Sequence, residues 1–152
     1  MARLEDEKFR NVIEHTPLVS IDLIVENASG DFLLGERINR PAQGFWFVPG
    51  GRVYKDESLS VAFQRIVKDE LNRTCELPMA SFLGVYEHFY DDNFFDSTFS
   101  THYVVLGYHL KLSDELHFPI QQHSQFKFLS RADILNSNQV HENTKLYFKQ
   151  EF

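Results

Sequence analysis

The spacing of apolar and polar residues along the chain predicts a domain that mixes strands and helices. Apolar β-branched runs bounded by turn residues indicate strands, and apolar residues at three- and four-residue intervals indicate helices. The predicted strands cover residues 18–25, 32–37, 82–90, 101–110 and 125–129. The predicted helices cover residues 4–14, 58–71, 130–134 and a segment from 140 onward. This order of elements, in a chain of 152 residues, is typical of one mixed α/β (α+β) domain.

The helix predicted at 58–71 carries an acidic residue where an apolar one is expected. Its apolar stripe consists of Leu59, Ala62, Phe63, Ile66, Val67 and Leu71. With about 100° per residue, Glu70 falls roughly 20° from Leu59, close to the centre of that stripe. A buried carboxylate is costly unless it is paired or binds a metal. Two interpretations follow, a buried ion pair with a core arginine or a metal ligand.

The segment before this helix favours the metal interpretation. Gly50 and Gly51 allow the backbone to approach a ligand closely and leave its carbonyl oxygens accessible. Oxygen donors from a carboxylate and a carbonyl, completed by phosphate and water, suit Mg²⁺.

Composition narrows the range of ligands. The formal net charge of -7 argues against nucleic acid bound through its phosphate backbone. No run of about 18 apolar residues is present, which predicts no membrane partner.

The single cysteine, Cys75, excludes an internal disulfide and fits a reducing compartment, so we expect a cytoplasmic protein. The first ten residues also lack the apolar stretch of a signal peptide.

The spacing around the predicted helix resembles a known sequence motif. Gly51 is followed after five residues by Glu57, after seven more by Arg65, and then by Glu70. This pattern resembles the Nudix box, G-x5-E-x7-R-E-U-x-E-E-x-G-U, where U is aliphatic. The resemblance implies an α/β/α sandwich with a mixed β-sheet, in which a loop-helix-loop binds divalent metal. Members of the family hydrolyse nucleoside diphosphates linked to another group.

The box departs from that pattern in its second half. Ile66 and Asp69 replace glutamates, and Asn72 replaces the glycine. A usual Nudix pyrophosphatase relies on those glutamates, and a box that lacks them resembles the GDP-mannose mannosyl hydrolase branch of the family. The stretches that also resemble this branch are 16–20, 39–44, 46–53, 88–94 and 101–107.

The resemblance implies a reaction and a set of metal ligands. The reaction is Mg²⁺-dependent hydrolysis of GDP-mannose, or another GDP-hexose, to GDP and free sugar. Water attacks sugar C1 and inverts its configuration. One Mg²⁺ per subunit, for which Mn²⁺ is the expected substitute, would be held by the Gly50 carbonyl, Glu70 and Gln122. His123 becomes the candidate general base, since a histidine pKa lies near neutrality.

Five further residues receive roles from the resemblance. Arg37, Arg52 and Tyr103 would contact the leaving diphosphate, because guanidinium forks match phosphate oxygens. Asp22, which interrupts an apolar strand, would lie at the sugar or guanine end of the site. His88 would help to position or charge the site beside Arg37. The plainer alternatives are surface ion pairs for the arginines and satisfied structural residues for Asp22 and His88.

Three other residues are predicted to support the site. Glu57 is expected to stabilise the turn into the helix rather than to bind metal. Arg65 can pair with Asp69 one turn later, which indicates a structural role. Phe9 would belong to a guanine-stacking or dimer surface, although core packing explains it equally well.

A small-molecule GDP-sugar is the expected partner, and a homodimer is expected from the resemblance.

Two other functions are alternatives to this one. A nucleotide-sugar pyrophosphatase would give GMP and sugar 1-phosphate, but the missing box glutamates count against it. A catalytically inactive nucleotide-sugar-binding module is the alternative outside the enzymes. The joint presence of Glu70, Gln122, His123 and the candidate diphosphate contacts counts against that alternative.

Overall fold

The computed structural model describes residues 4–113 and 123–152, with the side chains of residues 123 and 124 excepted. Within these residues the strands are Leu18–Glu26 (β1), Phe32–Arg37 (β2), Trp46–Phe47 (β3), Gly50–Arg52 (β4), Ser81–Tyr90 (β5), Thr101–Lys111 (β6) and His123–Leu129 (β7). The α-helices are Asp6–His15 (α1), Leu59–Leu71 (α2), Arg131–Asn136 (α3) and Glu142–Phe148 (α4). A short 3-10 helix covers Leu77–Met79.

The strands form one mixed sheet. Its main path is β3-β2-β1-β6-β5, while β4 pairs with β1 and β7 pairs with β2. The pairing of β1 with β6 is parallel, and every other pairing between these strands is antiparallel. In this register, Asp22 of β1 lies opposite Gly50 of β4 on one side and opposite Gly107 of β6 on the other.

Helices cover both faces of the sheet. Ile21, Leu23 and Val25 of β1 pack in one core cluster with the apolar residues of α2. Ile24, which points to the opposite face, packs with Ile134 of α3 and the aromatic residues of α4. The predicted α/β/α sandwich with a mixed sheet is therefore confirmed.

The predicted stripe of α2 is confirmed in its position and corrected at its start. Ser58 caps the helix by accepting a hydrogen bond from the Val61 amide, and Asn72 ends it in the left-handed conformation. Glu70 is only 4% exposed, as its place in the stripe predicts. Leu59 is 41% exposed, so its assignment to the core was wrong. Periodicity fixes the direction of a side chain but not how far along the helix the core extends.

The other differences lie at element ends, in the short strands β3 and β4 and in the 3-10 helix, none of which was predicted. Most predicted boundaries agree with the structure within two residues. The strand β4 was not predicted, because two glycines give it little intrinsic strand propensity and only its pairing with β1 makes it a strand. The C-terminal helix begins at Glu142 after a cap by His141, rather than at Val140. None of the helices in the described residues is long and apolar enough to cross a bilayer.

Candidate active site

A cavity of about 430 Å³ opens at the end of the sheet where β1, β4 and β6 meet. It brings together residues that lie far apart in the sequence. Six of the predicted site residues line it: Asp22, Arg37, Gly50, Arg52, His88 and Tyr103. Phe9 of the first helix also lines the cavity, as does Tyr54 from the loop before α2.

Glycine flanks Asp22 on both neighbouring strands. A Cβ atom at Gly50 would collide with the Asp22 carboxylate and would lie 2.6 Å from the carbonyl oxygen of Ile21. A Cβ atom at Gly107 would lie 3.2 Å from the Tyr147 ring and 3.1 Å from the Tyr86 ring. The two glycines therefore leave space for the Asp22 carboxylate and for the aromatic rings packed behind it.

The Asp22 carboxylate is held by a hydrogen bond from the C-terminal helix. The hydroxyl of Tyr147 donates to Asp22 Oδ2 at 2.6 Å. Burial raises the pKa of Asp22 to about 6, and the negative charge of Glu70 acts in the same direction. The Tyr147 hydroxyl and the positive charge of Arg37 oppose that rise in pKa.

The oxygen donors at this end of the sheet fit a hard divalent cation. The backbone of Gly50 borders the cavity, and Glu70 lies buried in the neighbouring helix close enough to Asp22 to influence its pKa. Glu70 does not itself line the cavity, whereas the adjacent Asp69 does. Among the described residues, no group of three His, Cys, Asp or Glu side chains could hold a metal. A divalent metal at this end of the sheet would therefore take some of its ligands from other groups, and oxygen donors such as carbonyls and water suit Mg²⁺.

Arg37 is fixed at the edge of the cavity by an aromatic ring and a loop. Its guanidinium lies 3.8 Å from the centre of the Phe47 ring and donates to the Pro41 carbonyl at 2.9 Å.

His88 is buried nearby, and the pKa of its imidazole falls to about 4 through burial, with smaller effects of His141 and Arg37. His88 is therefore neutral near pH 7 and adds no positive charge to the site.

Arg52 belongs to a stack of cationic and aromatic side chains. Its guanidinium lies 4.0 Å from the centre of the Phe9 ring and 5.7 Å from that of Tyr54. The guanidinium of Arg65 covers the other ring, 3.8 Å from the centre of Tyr54. Arg65 also donates to the Arg52 carbonyl at 2.6 Å. The stack connects the first helix, the loop before α2 and the middle of α2 at the cavity wall.

Arg65 has a stronger partner than the one predicted from helical spacing. It donates to the Glu57 carboxylate at 2.7 and 2.9 Å, whereas its nearest approach to Asp69 is 3.8 Å. Glu57 also accepts from the Tyr54 amide at 2.8 Å. The charge-assisted bond from Arg65 lowers the pKa of Glu57. The predicted structural roles of Glu57 and Arg65 are confirmed, with Glu57 as the main partner.

Tyr103 contributes a neutral hydroxyl to the cavity. Burial raises the pKa of its phenol, with smaller opposing effects of Arg37 and Arg52. Its ring meets Tyr90 edge to face, with the ring centres 6.2 Å apart. Tyr103 is therefore available as a hydrogen-bond donor at neutral pH.

Two of the predicted site groups lie outside the described residues. They are Gln122, a predicted metal ligand, and the side chain of His123, the predicted base. The backbone of His123 begins β7, and its Cα pairs in register with that of Arg37. The chain at His123 is thus next to a strand end that borders the cavity.

Sequence reasoning missed Tyr147, the residue that holds Asp22. It lies in the apolar series Leu146, Tyr147 and Phe148, which is typical of a core-facing helix. A tyrosine in a buried stripe needs a hydrogen-bond partner for its hydroxyl, so the sequence indicated that Tyr147 has such a partner. The partner is 125 residues away, so the sequence could not identify it.

Comparison with known proteins identifies the family of this chain. The sequence model described as NUDIX domain matches residues 16–150. The chain therefore belongs to the Nudix family of hydrolases. The low-salt glycan biosynthesis protein Agl8 of Haloferax volcanii is 39% identical over 125 residues, which cover 82% of this chain and 78% of that protein.

Solved structures share the fold. A MutT NUDIX hydrolase from Burkholderia pseudomallei superposes with a TM-score of 0.72 at 24% identity, covering 91% of this chain and 100% of that one. The MutT protein from Methanosarcina mazei Go1 has a TM-score of 0.71 at 22% identity, covering 89% and 93% of the two chains. At this identity the likeness concerns the fold alone, and the family predicted from the box is confirmed.

Proposed function

We propose that the protein catalyses the Mg²⁺-dependent hydrolysis of a GDP-linked hexose to GDP and free sugar. GDP-mannose is the leading candidate for the substrate. The observation that carries this proposal is the environment of Ile66. Ile66 stands at a box position usually held by glutamate, is 1% exposed, and would lie 3.1 Å from a Cβ atom at Gly51. An apolar side chain packed there supplies no carboxylate at a position that a pyrophosphatase would use to bind its several metals. A single metal suffices when water attacks carbon rather than phosphorus.

The residues around the cavity suit a diphosphate leaving group. Mg²⁺, bound through the Gly50 carbonyl, Glu70 and Gln122, would supply positive charge to the phosphate oxygens. Arg37 and Arg52 are both held by aromatic rings, at 3.8 and 4.0 Å from the ring centres, which limits their reorganisation on binding. Tyr103 adds a neutral donor. Negative charge that develops on the leaving oxygen is thereby met by groups already in place.

The proton removed from water needs an acceptor at the sugar end. We assign this role to His123, whose backbone pairs with Arg37 at the cavity edge. Asp22 lies on the floor of the cavity, and we assign it to binding the sugar or the guanine. His88 is neutral and buried, so we assign it to positioning rather than to charge.

The glycan biosynthesis relative supports a substrate that carries a sugar. Divalent metal dependence is general in the Nudix family, which supports the choice of cofactor. We also propose that the protein acts as a homodimer in the cytoplasm, with no membrane or nucleic-acid partner.

Product analysis tests the proposed reaction. The protein is incubated with GDP-α-mannose, GDP-glucose and GDP-fucose, each with Mg²⁺ and with EDTA, and nucleotides are separated by ion-exchange chromatography. We expect GDP and free sugar with Mg²⁺ and no product with EDTA. GMP with sugar 1-phosphate would contradict the proposal in favour of a pyrophosphatase. Tight binding without turnover would contradict it in favour of a binding module.

The assignment of His123 is tested by replacing its imidazole. We expect His123→Phe to retain affinity for GDP-mannose and to lose roughly 10²–10⁴-fold in kcat, as loss of a general base does. His102→Phe is the matched control, because His102 stacks on Phe89 with ring centres 4.4 Å apart and does not line the cavity. An unchanged kcat for His123→Phe would remove His123 as the base.

A further inference from the structure

Tyr147 is not among the predicted site residues, yet it contacts the floor of the cavity. Its side chain is fully buried in α4, near the C-terminal end of the chain. Its hydroxyl donates to Asp22 Oδ2 at 2.6 Å and lies 3.4 Å from His88 Nε2. A short bond to a carboxylate from a buried phenol is among the stronger hydrogen bonds in proteins.

The ring of Tyr147 is held so that its hydroxyl has a fixed position. Tyr86 meets it edge to face with ring centres 4.5 Å apart, and His88 lies 5.8 Å away on ring centres. Gly107 of β6 provides the space, since a Cβ atom there would lie 3.2 Å from the Tyr147 ring. A ring enclosed in this way keeps one rotamer, and the donor it carries is preorganised.

The two oxygens of the Asp22 carboxylate have different surroundings. Oδ2 accepts from Tyr147, whereas Oδ1 faces Gly50 of β4, whose missing side chain leaves it room. Gly50 and Asp22 both line the cavity. A donor that fixes Oδ2 therefore also fixes the direction of Oδ1, which lies beside Gly50 at the cavity wall.

We propose that Tyr147 is a positioning residue, which orients the Asp22 carboxylate for the substrate and makes the C-terminal helix α4 part of the active site. This inference rests on the proposed function, because it assigns Asp22 to the GDP-sugar. Burial and the nearby carboxylate raise the pKa of Tyr147 well above its usual value, which keeps the hydroxyl protonated as a donor.

A double-mutant cycle between Tyr147 and Asp22 tests the proposal. Tyr147→Phe removes the hydroxyl and keeps the ring, and Asp22→Asn removes the charge that the hydroxyl serves. We expect Tyr147→Phe to lower kcat/KM for GDP-mannose by roughly 10–100-fold in the wild-type background, as loss of a hydrogen bond to a charged group does. In the Asp22→Asn background we expect a change of about twofold or less, because the two residues act as one unit.

Controls separate this role from simple packing. Tyr108→Phe removes a hydroxyl from another buried tyrosine, which packs against Phe63 in the core cluster beneath α2, and we expect it to leave kcat/KM unchanged. If Tyr147→Phe does not fold, 4-aminophenylalanine at position 147 supplies a weaker donor of the same shape, with a smaller loss expected only when Asp22 is present. Equal effects of the Tyr147 substitution in both backgrounds, or no effect in either, would overturn the proposal.

The outcome can be told apart from failure of the proposed function. Products of the wild-type protein are determined first, and products other than GDP and sugar refute the reaction alone. Where there is no turnover, the same cycle is measured on the affinity for GDP-mannose by titration calorimetry. Additive affinity changes there would refute the positioning role of Tyr147.

Discussion

The two glutamates of the Nudix box show how differently one residue type is used within a single motif. Glu57 precedes α2, and its carboxylate accepts hydrogen bonds from Arg65 at 2.7 and 2.9 Å and from the Tyr54 amide at 2.8 Å. Glu70 lies in the last turn of α2, 4% exposed, in the stripe that faces the sheet. The first glutamate closes a turn, whereas the second brings a carboxylate to the region of Gly50 and Asp22.

The difference lies in the surroundings rather than in the residue. An arginine eight residues after Glu57 meets it across the start of the helix, which satisfies both groups and orders the loop. Glu70 follows the apolar period of the helix and is carried inside with Ile66 and Val67. The start of the box is therefore expected to govern stability, and its end to govern metal dependence and rate.

The largest expected effect comes from the end of the helix. Glu70→Gln keeps the shape of the side chain and removes its charge, so we expect kcat to fall by roughly 10²–10³-fold and the Mg²⁺ requirement to rise. Rates measured across a Mg²⁺ titration provide the test. Full activity with an unchanged metal response would show that Glu70 is not a metal ligand.

A smaller effect is expected from β4, the strand that pairs with Asp22. Gly50→Ala places a methyl group against the Asp22 carboxylate and the Ile21 carbonyl, and we expect a loss of about 1–3 kcal/mol in the free energy of unfolding. Gly51→Ala is the matched comparison, because the atoms nearest to its Cβ would all belong to the side chain of Ile66, the first at 3.1 Å. Urea denaturation measures both. Equal stability of the two variants would contradict the close approach of Gly50 to Asp22.

A substitution at the start of the box is expected to lower the stability of the protein without changing its response to Mg²⁺. Glu57→Gln weakens the bond from Arg65, and we expect a cost of about 1 kcal/mol in the free energy of unfolding. The pKa of Glu57 lies below its ordinary 4.5 in the folded protein, so this stabilisation is complete above pH 5 and is lost as pH falls. Asp56→Asn, at an exposed neighbour, is the control. A changed Mg²⁺ dependence of Glu57→Gln would contradict the assignment of Glu57 to stability and of Glu70 to metal binding.

The smallest effect is expected at the exposed first residue of α2. Leu59 is 41% exposed, so Leu59→Ala should change the free energy of unfolding by no more than about 0.5 kcal/mol. Thermal denaturation measures the change. A loss of several kcal/mol would mean that the first turn of α2 is covered by something that the chain alone does not provide, such as a second subunit.

The sequence could predict what depends on local pattern. The period of α2 placed Glu70 inside, and the spacing of the box indicated the family, both of which are confirmed. It could not predict β4, because Gly50 and Gly51 become a strand only by pairing with β1. It also could not identify Asp22 as the partner of Tyr147, because the two residues lie 125 positions apart in the chain. Long-range pairing, rather than propensity, completes the site.

The most direct test of the proposed reaction is the fate of oxygen from water. The protein is incubated with GDP-α-mannose and Mg²⁺ in H₂¹⁸O, and the nucleotide product is examined by ³¹P NMR and mass spectrometry. Attack at C1 predicts GDP that contains no ¹⁸O, together with mannose released first as its β-anomer. An ¹⁸O atom on a phosphate of the nucleotide or of a sugar phosphate would mean attack at phosphorus and would contradict the account.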